Sequence, residues 1–295
     1  MIDLHMHTDV SDGEFSPEEV VNIAIKKGLK AIAITDHDTT IGINAAIEYA
    51  KGRNIEIVPG IEIYCYEEDI GFDEVHILGL VVEHENKDLI KFTEILRQDR
   101  FKQKRKIISK LRNLGFDVKL EDIPNVENVS IGKPHIALEL IKKYPKEFSS
   151  VREVFDRYLG VGKPAYSERS YKVRITEAIN IIKKAGGVSF LAHPGCYADN
   201  DALELINIFT GKGGQGIETI YPYDLVFPKE YDKIKTERKI LFFKDIAKKL
   251  GLVESGGSDF HGKVRKSTIG CVNVDNEILR KIKNILNKNS SFVRG

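Results

Sequence analysis

Tryptophan is absent from the 295 residues, cysteine occurs three times, and the net charge is almost nil at +1. Each scarcity removes a class of protein. Cys65, Cys196 and Cys271 are odd in number, far apart and without CxxC spacing, which argues against a disulfide framework or a thiolate zinc motif. They read as reduced, buried thiols. A charge of +1 lacks the Lys and Arg excess that a surface for long duplex nucleic acid needs, so no duplex partner is expected and a small or short anionic one remains. No apolar run is long enough to span a bilayer, and the opening MIDLHMHTD has neither a basic n-region nor an apolar h-region. The chain is read as cytoplasmic, without a membrane partner. Nothing in the sequence sets an oligomeric state. Low-complexity linkers and internal repeats are missing too. With 42% hydrophobic and 30% charged residues, the composition is that of an ordinary soluble globular protein.

What is present is an alternation of short apolar strands and helices. In Met1–His7, Ile2, Leu4 and Met6 face one way and Asp3, His5 and His7 the other, the period of a strand. Ser16-Pro17-Glu18-Glu19 is a capping box with proline at the first helical position, opening a helix that ends near Gly28. A strand follows at Leu29–Thr35, then a helix to about Lys51, and two strands at Ile55–Ile63 and Val75–Val82. From Asn86 to Leu114 a long helical pattern is dense in Lys and Arg, and shorter helices near His135–Tyr144 and Val151–Tyr158 follow without strands. The alternation resumes with a helix at Ile175–Ala185, strands at Val188–Ala192 and Ile217–Tyr221, a helix at Lys235–Leu250, a strand at Leu252–Ser258 and a last helix at Glu277–Leu286. Roughly seven βα units predict an α/β fold with a parallel, barrel-like sheet. Residues 1–85 and 171–295 would form the barrel, and 86–170 an inserted helical subdomain.

Six of the eight histidines, His5, His7, His37, His76, His193 and His261, lie within or just after a predicted strand. In a parallel barrel the strand ends and the loops after them share one face, so ligands distant in sequence converge there. Two imidazoles on one strand face, followed by Asp12, make a metal chelate. Thr35-Asp36-His37 also suits a turn and helix cap, with His37 favoured as a ligand. Glu62, inside Pro59-Gly60-Ile61-Glu62-Ile63, is too costly to bury alone; a metal or an arginine would explain it. His76 taken singly suits a core position, and the other candidates beside it reverse that reading. Ala192-His193-Pro194-Gly195 ends an apolar strand in a histidine, and Gly256-Gly257-Ser258-Asp259-Phe260-His261 sets Asp and His two apart beside glycines. His84, among Glu83, Glu85 and Asn86, reads as a solvated surface residue.

With Asp3-Leu4-His5-Met6-His7, Thr35-Asp36-His37, Gly60-Ile61-Glu62, His193-Pro194 and Ser258-Asp259-Phe260-His261 in order over nearly the whole chain, the sequence resembles the polymerase and histidinol phosphatase (PHP) family. The resemblance implies a distorted (β/α)7 TIM-like barrel carrying two to three divalent ions. By that resemblance His5, His7, Glu62 and Asp259 would hold one ion. Glu62 would bridge to a second that also takes His76, and Asp12, His37, His193 and His261 would complete the coordination. All nine ligands are nitrogen or oxygen donors, which suits manganese first, with zinc or iron as alternatives. Glu62 and Asp259 are expected to be catalytic through the ions they hold.

Gly132-Lys133-Pro134-His135-Ile136 and the stretch from Tyr158 to Tyr166 are similar to a branch of the family that acts on nucleotide phosphates, such as nucleoside 3′,5′-bisphosphates, and on short 5′-phosphorylated RNA. Lys133, where many relatives carry Arg, would bind phosphate as a point charge rather than a fork. His135 would protonate the leaving oxygen or bind the phosphate beside it. A proline-initiated helix start with both side chains in solvent is the competing reading. Paired metals clamp the attacking and leaving oxygens of an in-line displacement, and the lowered pKa of coordinated water makes hydroxide the expected nucleophile. A histidinol-phosphatase-like phosphomonoesterase, a non-catalytic metal-stabilised binding module, and hydrolysis of another bond such as C–N stand as the alternatives.

Overall fold

The computed structural model of the chain describes residues 1–123 and 129–292. The predicted capping box is present: Ser16 Oγ accepts the Glu19 N–H and the Glu19 carboxylate accepts the Ser16 N–H, opening α1 (Pro17–Lys26). The chain continues through β1 (Ala31–Ile34), α2 (Ile43–Ala50), β2 (Glu56–Glu67) and β3 (Phe72–Leu80). A stretch without strands holds α3 (Lys87–Asn113), α4 (Lys133–Lys143), α5 (Val151–Val154) and a π-helical turn at Phe155–Leu159. Then come α6 (Ile175–Lys184), β4 (Val188–Leu191), α7 (Asp199–Gly211), β5 (Gly216–Ile220), α8 (Tyr223–Val226), α9 (Lys233–Leu250), β6 (Val253–Gly256) and α10 (Asn276–Phe292). The fold is mixed α/β, as expected, with one six-stranded sheet in the order β1-β2-β3-β4-β5-β6.

The sheet is not wholly parallel, which corrects the sequence expectation. β1 and β2 are parallel, as are β4, β5 and β6, but β3 runs antiparallel to both β2 and β4. The cause is local. Only the turn Glu68–Ile70 and Gly71, at φ +84°, separates β2 from β3, and a parallel crossover needs a dozen or more residues. Glu62 on β2 and His76 on β3 thereby sit on adjacent strands, Tyr64 pairing with His76.

The segment predicted as a first strand, Met1–His7, is extended but bonds through isolated bridges. Asp3 N–H donates to Ala31 O at 3.1 Å and Thr35 N–H to Met6 O at 3.0 Å. On the other side Leu4 N–H donates to Gly256 O at 3.1 Å and His7 N–H to Phe260 O at 2.9 Å. The six-stranded ladder is thus not closed as a ladder, while this segment bonds to both of its edges. Gly257 permits the approach: a Cβ there would lie 2.3 Å from the His5 nitrogen.

Helix α7 lies where the sequence reading had placed none. Its signal is Ala202, Leu205, Ile206 and Phe209 at helical spacing after the acidic Asp199 and Asp201, and all four apolar residues are buried. Apolar clusters line both faces of the sheet, and a separate one joins Ile107, Leu111, Val118, Ile136, Leu140, Phe148 and Leu159 within the strandless stretch. Burying each such side chain contributes about 1.5–3 kcal/mol before entropy is counted. Among the described residues no helix is long and apolar enough to cross a membrane.

Candidate metal centre

The alternation in Met1–His7 turns His5 and His7 to one side of their segment, and both are buried. His37 follows β1 and bridges to Glu62, and His193 follows β4. Asp259 and His261 follow β6, and Asp12 comes from the loop after the first segment. Two of these positions are strained. His193 has φ +29° and Asp259 φ +49°, conformations that cost a non-glycine residue of order 1–3 kcal/mol and persist where surroundings dictate them.

All nine candidates converge. Glu62 is the hub: Oε1 lies 3.1 Å from His76 Nδ1, 3.2 Å from His193 Nε2 and 3.4 Å from His5 Nε2. Its Oε2 lies 3.2 Å from His7 Nε2 and 3.1 Å from His37 Nδ1. Asp259 Oδ1 stands 3.5 Å from His5 Nε2, 3.4 Å from His7 Nε2 and 3.4 Å from His261 Nδ1, while Asp12 Oδ1 stands 3.3 Å from His261 Nε2. Three sets of donors each gather within 4.8 Å: His5, His7 and Asp259; His37, Glu62 and His76; and His7, Asp12, His37 and His261.

Two explanations compete for such a cluster, a self-satisfied hydrogen-bond network or a shell of ligands. The unpaired atoms decide. His7 Nδ1, Asp12 Oδ1, His37 Nδ1, His76 Nε2, His193 Nδ1 and His261 Nε2 are buried and make no hydrogen bond of good geometry, although His37 Nδ1 stands 3.1 Å from Glu62 Oε2 and His261 Nε2 3.3 Å from Asp12 Oδ1. An orphaned buried polar atom costs about 1–3 kcal/mol, and a site that leaves several unpaired or badly aligned calls for something to receive their lone pairs. Donors bound about 2.0–2.2 Å from a common ion at angles near 90–110° stand about 3–3.5 Å apart, the spacing found here. The residues present fit divalent metal ions.

Without ions, the carboxylates and imidazoles of the cluster set one another's charge. Burial alone would raise the Glu62 carboxyl, yet His5, His37, His76 and His193 outweigh it and hold the group well below the usual carboxylate range. Against the same opposition from burial, His37 and His261 lower Asp12, and Arg265 and His5 lower Asp259. The imidazoles split. His7 is pushed up to about 9 by its carboxylate neighbours against burial, whereas burial takes His37 well down, with His7 and His76 adding to it. Divalent ions in the cluster would take the place of the protons that imidazoles such as His7 carry, leaving the three carboxylates ionised.

The sequence matches the PHP domain family over residues 3–188. The chain belongs to that family. It is 32% identical over 266 residues to a 3′,5′-nucleoside bisphosphate phosphatase of Chromobacterium violaceum, covering 88% of this chain and 87% of the relative. It is 31% identical over 261 residues to a 5′-3′ exoribonuclease of Haemophilus influenzae, covering 88% and 89%. Among solved structures, one described as a metal-dependent phosphoesterase of Bifidobacterium adolescentis superposes with a TM-score of 0.80 at 27% identity, covering 95% and 94% of the two chains. An amidohydrolase of Chromobacterium violaceum with bound sulfate also gives 0.80, at 28% identity over 96% of each. The PHP membership, the fold and the assignment to metal-dependent phosphoester hydrolysis expected from the sequence therefore hold.

Around the PHP site stand residues that sequence reasoning passed over. Glu218 on β5, fully buried, accepts from His5 Nδ1 at 2.9 Å and from the His193 N–H at 2.8 Å, fixing the ring and the backbone of two candidates. The argument that singled out Glu62, a carboxylate inside an apolar strand, would have found it in Ile217-Glu218-Thr219-Ile220. Groups orienting a metal ligand typically change metal affinity 10–100-fold when lost. Glu218→Gln is accordingly expected to weaken manganese binding by about that factor while the fold persists, measured by titrating metal into chelator-treated protein. Wild-type affinity in the variant would remove Glu218 from this role.

Asp36 takes no part in the donor sets. It accepts from the Thr8 N–H at 2.8 Å, Thr8 Oγ1 at 2.7 Å and Ser11 Oγ at 2.5 Å, holding the loop that carries Asp12. Tyr221 OH, at 2.5 Å, and Arg265 both reach Asp259 Oδ2.

Beside the cluster opens a cleft of about 350 Å³. Asp12, His37 and His76 line it, together with Arg100, Lys104, Lys133, Arg169 and Arg265 and the rings of Tyr64, Tyr66, Phe155 and Tyr166. Lys133 Nζ lies 5.7 Å from the Phe155 ring centroid and 5.5 Å from that of Tyr166. His135 is not among the lining residues. Its Nδ1 accepts the Gly132 N–H at 3.0 Å at the start of α4, which leaves the proton of the neutral ring on Nε2. Burial lowers the pKa of this imidazole. His84, set aside as a surface residue, bonds Asn44 Oδ1 at 2.7 Å, away from the cluster.

Proposed function

We propose that the protein hydrolyses phosphate esters of nucleotides, either nucleoside 3′,5′-bisphosphates or short 5′-phosphorylated RNA, with two to three divalent ions, manganese foremost, held by His5, His7, Asp12, His37, Glu62, His76, His193, Asp259 and His261. The observation that carries the reading is the cleft, because it joins the donor cluster to cations and aromatic rings in a volume that fits a nucleotide. The names of the relatives and the sulfate in the neighbouring structure support a phosphorylated substrate. Divalent ions in such a shell supply Lewis-acid neutralisation of the phosphate and lower the pKa of water.

The protein residues do the rest. Glu62, with one oxygen toward His76 and His193 and the other toward His7 and His37, sets the spacing of the halves of the shell. Lys133 neutralises phosphate charge from the cleft wall, and His135, neutral with its proton on Nε2, offers a hydrogen bond to the phosphate beside it. Residues 86–170 act as the substrate subdomain on a catalytic body formed by 1–85 and 171–295. Tyr64, Tyr66, Phe155 and Tyr166 offer faces on which a base stacks.

The test is a manganese-supplemented panel of nucleoside 3′,5′-bisphosphate, short 5′-phosphorylated RNA, histidinol phosphate and a simple phosphomonoester, run on the wild type and the Lys133→Ala/His135→Ala variant. A nucleotide ester should lead histidinol phosphate by about 100-fold in kcat/KM, and the variant should lose about 10–100-fold on it with metal content retained. Preference for histidinol phosphate would overturn the substrate assignment. Hydrolysis of no ester would leave a metal-stabilised binding module.

A further inference from the structure

The cleft serves one flank of the donor cluster. Asp12, His37 and His76 line it, and His193 does not. A phosphate monoester needs a single flank, because its phosphorus carries one O–C link. The phosphorus of a diester carries two, so a second nucleoside has to leave the cluster by another route. Past His193 the chain turns through Pro194–Cys196 and surfaces at Cys196, which is exposed, before α7 begins at Asp199. Within that turn Gly195 O accepts from Tyr231 OH at 2.8 Å. Tyr231 is thereby pinned beside the His193 turn, and it forms one wall of an open groove of about 370 Å³ whose other lining residues are Asp199, Lys235, Arg238, Lys239 and Phe242.

Three cations line this groove against one carboxylate. Asp199 is taken by Lys239. Lys235 Nζ donates to the backbone Glu230 O at 3.2 Å, and the Arg238 side chain makes no hydrogen bond or ion pair among the described residues. All three come from α9, which carries seven Lys and Arg against two acids and sets Arg238 and Phe242 four residues apart, neighbours on one face. Phe242 is 38% exposed. An open groove that joins unpaired cations to two ring faces suits a single strand: the cations follow the phosphates, and the rings stack on bases whatever their sequence. We infer that Tyr231, Lys235, Arg238, Lys239 and Phe242 form an interaction surface for single-stranded RNA, taking the nucleotides on the 3′ side of the scissile phosphate while the 5′-phosphorylated end occupies the cleft. The inference rests on the nucleotide reading above and selects between its two substrates: RNA engages cleft and groove, and a nucleoside bisphosphate engages the cleft alone.

Binding as a function of chain length separates this from turnover. 5′-Phosphorylated oligoadenylates, from the dinucleotide to the hexanucleotide, and adenosine 3′,5′-bisphosphate are titrated into the full chain with calcium as the divalent ion. From dinucleotide to hexanucleotide the wild type should gain about 10–100-fold in affinity, the range of one stacked base. In Arg238→Ala/Phe242→Ala, where both side chains are exposed and their loss spares the fold, that gain should fall to about 3-fold or less, with the bisphosphate bound as in the wild type. Losing one phosphate contact should also flatten the dependence of log K on log salt for the hexanucleotide by about 0.7, a change that a purely structural role would not produce. A wild-type gain below about 5-fold, or a gain undiminished in the variant, overturns the groove. If the bisphosphate binds and length adds nothing, the nucleotide reading stands without the groove, and if no nucleotide binds, both fall. Length-dependent binding with no ester hydrolysed keeps the groove and rejects the catalytic reading.

Discussion

Glu62→Gln is expected to lower kcat/KM on a nucleotide ester by at least about 10³-fold, some 4 kcal/mol of transition-state stabilisation. No other candidate touches as many of the rest: five histidines surround its two oxygens within 3.4 Å. An amide offers one neutral oxygen and an NH2 group with two N–H donors, so one half of the shell loses its acceptor and meets hydrogens. Metal content, read by elemental analysis, should fall together with turnover, while circular dichroism stays that of the wild type. Retained metal with normal turnover would remove Glu62 from the hub, and retained metal with lost turnover would confine it to chemistry. The fold tolerates the change because His5 and His7 still have Asp259 Oδ1 within 3.5 Å.

Returning manganese to chelator-treated protein should raise its thermal midpoint by about 10 °C. A ligand at about 1,000 times its Kd adds about 4 kcal/mol to the native state, and each kcal/mol moves the midpoint by about 2–4 °C in proteins near this size. The six buried atoms that lack a well-aligned hydrogen bond are the physical source: ions would remove the penalty they carry. Differential scanning calorimetry with and without manganese measures it. A midpoint indifferent to manganese, zinc and iron would show that the cluster is satisfied by its own hydrogen bonds. A large shift with no ester hydrolysed would mark a structural site.

The donor residues were legible because each sits in a local context whose rules are short-range. Period two places His5 and His7 on one side, and a carboxylate inside Pro59-Gly60-Ile61-Glu62-Ile63 is too costly to bury without a partner. The capping box at Ser16 held to the residue for the same reason. Glu218 was equally legible and went unread. Arg100 and Lys104 were not, since a helix dense in Lys and Arg reads as solvated, and only the packing of α3 against Asp38 and the cleft makes that one face buried. The antiparallel β3 hid behind a turn too short to admit a crossover, in strands whose apolar runs look alike in either direction.

Taken alone, the sequence determined the family, the chemistry of the candidate donors and their order along the chain, because residue type and spacing decide those. Tertiary structure decided which nitrogen faces which oxygen and which buried atoms lack partners. It also decided that cations from α3, from the start of α4 and from Arg169 reach one cleft. Those properties depend on angles and on distances between residues far apart in the chain, such as His5 and Asp259. No local pattern encodes them, since only the closed packing of sheet and helices brings such residues within a few ångströms.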